Sequence, residues 1–119
     1  MALQLFAKNQ YHVDKALIDP WSCIHSISGL LLGQLNISND KSIFIAILWE
    51  LIENSPMGNI IWKSAGWPDY YGDSFFNIIS DIFFVTYFAK LGRNMQIYQF
   101  YKCIVILFIT FKTYNLIIS

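Results

Sequence analysis

The chain has 119 residues, the length of one domain, of which 55% are hydrophobic, 18% aromatic and only 13% charged. That charged fraction is about half the soluble norm. Eight basic and eight acidic side chains cancel, which excludes a nucleic-acid binder built on a basic face. So apolar a chain is not a disordered tail either. Cys23 and Cys103 stand too far apart for a zinc-finger or CxxC spacing and indicate no disulfide framework.

Residues 1–18 are mixed, with Lys8, His12, Asp14 and Lys15 among apolar positions and no signal-peptide core, so nothing here looks cleaved. Asp19-Pro20 reads as an N-cap followed by proline at the first helical position, and predicts a first helix from Pro20 to about Leu35. Asn36–Asp40 reads as a turn. A second helix is expected over Ser42–Asn54, ended by Ser55-Pro56. Residues 56–73 read as a long aromatic loop with turn signals at Gly66, Pro68 and Gly72. A third helix is expected from Ser74 to about Leu91, a turn at Gly92–Asn94, and a fourth helix from Ile97 to about Ile118.

The third and fourth of these helices are apolar on most faces, unlike the one-sided stripe of a soluble bundle. Between Lys102 and Lys112 the fourth helix has no charge, and those lysines can snorkel toward opposite interfaces. Against this, the second helix at 13 residues spans only roughly 20 Å, and the mean hydropathy of +0.43 is modest for a membrane protein. Short helices bearing polar groups fit a bundle with a water-filled vestibule. The expected architecture is therefore all-α: a single membrane domain of about four short transmembrane helices in an antiparallel bundle, with residues 1–18 as a leading segment, 19–91 as a motif-bearing core and 97–118 as a closing helix. Three basic residues on each side leave its orientation undecided by charge.

Polar residues interrupt this apolar background in three places: His25, Ser28 and Gly29; Glu50, Glu53 and Asn54; and Asp73, Asn77 and Asp81. At 100° per residue Glu50 and Glu53 share a face, while Asp73, Asn77 and Asp81 form one stripe. If consecutive helices are antiparallel, all three groups meet at one end of the bundle. Clustered carboxylates with an imidazole need cations, protons or water, and buried ionisable groups in a membrane usually mark function. His25, Glu50, Glu53, Asp73 and Asp81 are thus candidate metal ligands. Glu50, Glu53 and Asp81 are candidate catalytic groups, and Ser28, Asn54, Asn77 and Tyr71 are candidate pocket residues. Local explanations compete: Asp73 as an N-cap, Asn54 as a C-cap, His25 as glue to a carboxylate, and Gly29 with Gly33 as a packing surface. Trp62, Trp67, Tyr70 and Tyr71 are expected in one interfacial layer over the pocket mouth.

The segments DPWSCIHSISG (19–29), WELIENSP (49–56) and YYGDSFFNIISD (70–81) resemble a family of small bacterial inner-membrane proteins of unknown function, and more distantly the VanZ-like membrane proteins linked to glycopeptide resistance. The resemblance implies a multi-pass inner-membrane protein whose polar end faces away from the cytoplasm. Ser28 stands where that family often has a second histidine, and the family usually begins with a further transmembrane helix that residues 1–18 do not supply. Three functions remain open: an acidic pocket that binds a cation or polar head group; a metal-dependent membrane hydrolase of a lipid-linked phosphate or ester, with one or two divalent ions; and proton or ion passage through Glu50 and Asp81. The partner implied is the lipid bilayer, and no protein partner follows from the residues. Walker, GxSxG and HExxH motifs are absent.

Overall fold

The computed structural model describes residues 4–67 and 72–119. Among them are five α-helices and no strand: α1 (Pro20–Gln34), α2 (Asn39–Glu53), α3 (Pro56–Ser64), α4 (Phe75–Arg93) and α5 (Ile97–Ile118).

α1 begins where Asp19-Pro20 predicted. The Asp19 carboxylate accepts from the Ser22 N–H, and the Ser22 hydroxyl accepts from the Asp19 N–H, closing a capping box. α2 starts three residues earlier than expected, because Ser38 caps the N–H of Lys41 and Asp40 complements the first turn. The predicted loop over 56–73 is corrected in part. Pro56, read as a terminator, occupies the first position of α3, where its missing N–H is harmless. At α4 the cap is Ser74, whose hydroxyl accepts from the Asn77 N–H, so Asp73 is not the N-cap.

Contacts follow the chain in a regular order. His25, Gly29 and Gly33 of α1 meet Asp81, Val85 and Ala89 of α4, so these two helices run parallel. Arg93 of α4 donates to the Ile37 carbonyl and to Asn39 Oδ1 at the start of α2, while Glu50 lies beside Asp81, so α2 and α4 are antiparallel. α5 returns along α1, with Trp21 against Phe111 at 5.3 Å and the Tyr114 hydroxyl donating to the Ala7 carbonyl. The expected alternation of the four long helices holds. Their expected use as four spans does not: only α4 and α5 are long and apolar enough to cross a membrane. α1 and α2, at 15 residues each, reach roughly 22 Å. The lysines of α5 also depart from expectation, since Lys102 and Lys112 both lean back toward the helix start, over Tyr98 and Phe108.

The α1–α4 contact is made by backbone. A β-carbon on Gly29 would fall 2.4 Å from the Val85 carbonyl oxygen, one on Gly33 2.2 Å from that of Ala89, and one on Gly92 2.6 Å from that of Leu30. Gly92 therefore stays inside the helix that the sequence ended at Leu91. Around this seam the distribution of polarity is reversed. The buried residues include Asp19, Ser42, Glu50, Glu53, Asn77 and Asp81, whereas Ile97, Tyr101, Val105, Ile106, Ile109 and Phe83 face outward.

Residues 14–18 lie as a strap along α4. The carbonyl of Asp14 accepts from the Ser74 N–H, that of Lys15 from the Ser74 hydroxyl, that of Ala16 from the Asn77 amide and that of Leu17 from the Ser80 hydroxyl. Four successive carbonyls are thus satisfied by three residues spaced three apart on one face of α4.

Gly33→Ala is expected to lower stability by about 1–3 kcal/mol, because its methyl meets backbone that cannot rotate away. Leu116→Ala, on the outward face of α5, should leave unfolding near wild type. Thermal unfolding of the two variants in detergent checks the contrast.

Candidate metal centre

Helices α2 and α4, with the segments before α1 and α4, deliver carboxylates and α1 an imidazole to one cavity of about 440 Å³, lined by His25, Glu50, Glu53, Asp73 and Asp81 together with Asp14 and the four tryptophans. Parallel α1 and α4 present their first turns at the end where antiparallel α2 finishes, which is why groups far apart in sequence meet. Within each of two sets, His25, Glu50 and Asp81, and Glu50, Glu53 and Asp73, the ligating atoms all lie within 4.8 Å of one another. All five predicted metal residues are brought together.

The remaining pocket residues separate. Ser28 lines the cavity, but its hydroxyl turns back to the Ile24 carbonyl at 3.0 Å. Asn54 caps α2 and also positions the cluster. Its Nδ2 donates to Glu50 Oε2 at 3.2 Å, and its Oδ1 accepts the Asp73 N–H at 2.6 Å. Asn77 leaves the acidic stripe altogether and donates to the Ala16 carbonyl and to Asp19 Oδ2, so its side chain holds the strap. Tyr70 and Tyr71 lie outside the described residues. Trp62 and Trp67 share one cluster with Trp21, ring centroids 5.4–5.7 Å apart, that forms a wall of the cavity.

Each of two buried carboxylates is held by one oxygen and offers the other. Asp81 is 2% exposed; its Oδ2 lies 3.2 Å from His25 Nε2, and its Oδ1 has no hydrogen-bond partner. Glu53 is 6% exposed; its Oε1 accepts the Trp62 indole N–H at 3.0 Å, and its Oε2 has no partner. A buried oxygen without a donor is costly unless something else satisfies it. No lysine or arginine lines the cavity among the described residues. Carboxylate oxygens and one imidazole form a donor set suited to Mn²⁺, Fe²⁺ or Zn²⁺.

Asp14 was not singled out from the sequence. It stands at a left-handed φ of 67°, with its N–H on Asp19 Oδ2 at 2.8 Å and its carbonyl on Ser74. Only the short step from Asp14 to the Asp19 cap hinted at it. Burial, and then the charges of Asp73, Asp19, Glu53 and Asp81, push its carboxyl up to about 8. Burial also raises Asp19, against the lowering effect of the Asp14 N–H.

Between about pH 4 and pH 8 the folded chain thus keeps a proton on Asp14 that the unfolded chain releases, and wild-type stability falls as pH rises through this window. Asp14→Asn tolerates the same backbone angle and has nothing to ionise. With chelator present, its melting temperature should match wild type near pH 4 and exceed it increasingly up to pH 8. Melting curves across that range check the widening gap.

No family model, curated protein or solved structure matches this chain, so the centre is read from its own residues.

Proposed function

We propose that this chain is a small multi-pass membrane protein whose acidic, histidine-containing cavity binds a divalent cation near one face of the bilayer. The observation that carries the cation is the pair of buried carboxylate oxygens, Asp81 Oδ1 and Glu53 Oε2, left without a hydrogen-bond partner in a cavity that no lysine or arginine lines among the described residues. Membrane placement is supported by the apolar lengths of α4 and α5 and by the reversed polarity of the molecule, with carboxylates inside and large apolar side chains outside. The short α1 and α2 fit a vestibule that lets water reach the cavity. Kinship with the inner-membrane family named above is part of this proposal and rests on the WELIENSP and YYGDSFFNIISD motifs.

One observation favours a second reading, hydrolysis of a lipid-linked phosphate or ester by the bound metal. Ile24, Leu31, Leu32, Ile45 and Val85 give the cavity an apolar wall continuous with the carboxylates, the surface an acyl or prenyl chain needs beside its head group. Release of phosphate from a lipid phosphate by Mn²⁺-loaded protein tests it.

The protein should remain in the pellet through an alkaline carbonate wash; recovery of monodisperse protein without detergent would overturn the membrane reading.

For the cation, melting temperature and bound metal are measured on purified protein with and without Mn²⁺. Wild type should bind the metal and melt higher with it. Asp81→Asn should bind less metal and gain less in melting temperature from it, while the metal-free variant melts at or above metal-free wild type because acidic crowding with Glu50 and Glu53 is relieved. Asn77→Ala, which touches the strap, should lose about 1–3 kcal/mol of stability yet keep its metal. Wild type with no metal and no shift in melting ends the cation reading.

A further inference from the structure

We propose that the cavity holds two divalent cations joined by Glu50. The inference rests on the cation-binding reading above and deepens it from one ion to a pair.

Glu50 is the single residue common to both groups of ligating atoms, with His25 and Asp81 on one side and Glu53 and Asp73 on the other. The two groups do not merge into one site: each has its own buried oxygen without a donor, Asp81 Oδ1 in the first and Glu53 Oε2 in the second. One cation could satisfy one of these oxygens, and the other would stay orphaned. Charge points the same way. Five carboxylates, those of Asp14, Glu50, Glu53, Asp73 and Asp81, line the cavity with no lysine or arginine among the described residues, and one divalent ion leaves more of that charge unbalanced than a pair does.

The donors also fit an ion pair. His25, Glu50 and Asp81 bring an imidazole nitrogen and two carboxylate oxygens within 4.8 Å of one another, and a metal bound there displaces the proton shared by His25 Nε2 and Asp81 Oδ2, 3.2 Å apart. The first half-site, with its imidazole, suits a borderline ion, and the second, all oxygen, suits a hard one. Mn²⁺ is accepted by both kinds of donor and is the natural probe. A carboxylate bridge holds such ions about 3.5–4 Å apart, close enough for their unpaired electrons to couple.

The experiment is Mn²⁺ titration of the full chain in detergent after chelator stripping, read by metal content and by electron paramagnetic resonance. Wild type should take up two Mn²⁺ per chain with an exchange-coupled spectrum. His25→Ala and Asp73→Ala should each keep one Mn²⁺ and give an uncoupled six-line signal, and Glu50→Gln should lose the coupling. If a variant fails to fold, the wild-type result alone decides. One Mn²⁺ per chain overturns the paired site and leaves the cation reading standing. Two uncoupled Mn²⁺ overturn the Glu50 bridge, and no Mn²⁺ overturns both readings.

Discussion

Where Gly29 and Gly33 of α1 meet α4, backbone touches backbone and no side chain can be interposed. That contact fixes how far apart the two helices stand and at what register. Register in turn sets His25 opposite Asp81, one turn before the seam begins. The strap of residues 14–18 reinforces the arrangement, since its four carbonyls are held by the cap and first two turns of α4. The Asp19 cap joins strap and helix by accepting the N–H groups of Asp14 and Ser22 at once. A displacement of α4 along α1 would therefore break the seam, the strap and the cap together.

A net charge of zero conceals an uneven distribution. Asp14, Asp19, Glu50, Glu53, Asp73 and Asp81 gather at one end, whereas the basic residues are split, with Lys15 and Lys63 at that end and Lys41, Lys90 and Arg93 at the other, where Gln34 donates to the Gly92 and Met95 carbonyls. The acids are the more deeply buried of the two groups. Desolvated carboxylates at such spacing repel one another strongly, so the acidic end is the strained end, and its strain is relieved only by protons or by metal. Helix geometry alone does not impose this. It follows from placing Glu50 and Glu53 in the last turn of α2 rather than on an outward face, and from an α2 too short to carry them away from α4.

Much of this was legible in the sequence, and the limits have physical causes. The Asp19-Pro20 start and the span of α5 could be read because capping and apolar runs act locally. Convergence of His25, Glu53 and Asp73 could be read because alternating helix directions determine depth. α3 escaped because Pro56 both ends a helix and begins one, and only the packing of the following residues distinguishes the two. Asn77 was grouped with Asp73 and Asp81 because their angular spacing allows it. Its hydrogen bonds to the strap depend on residues 61 and 58 positions away, which no local pattern reveals. Asp14 was missed for the same reason: its place is decided by a turn at positive φ and by the start of α4.

Trp21, Trp49, Trp62 and Trp67 are all the tryptophans in the chain, and each lines the acidic cavity. The intrinsic fluorescence of the protein therefore originates wholly within reach of the carboxylates. Trp62 is coupled to the cluster directly, because its indole N–H is bonded to Glu53 and so its excited state feels whether that carboxylate is protonated, free or drawn toward an ion. Trp21 and Trp67 pack edge-on against it and can exchange excitation energy with it over a few ångströms. The molecule has in this way a built-in optical gauge of its own cavity, one that responds without label or mutation and that a paramagnetic ion would darken on arrival.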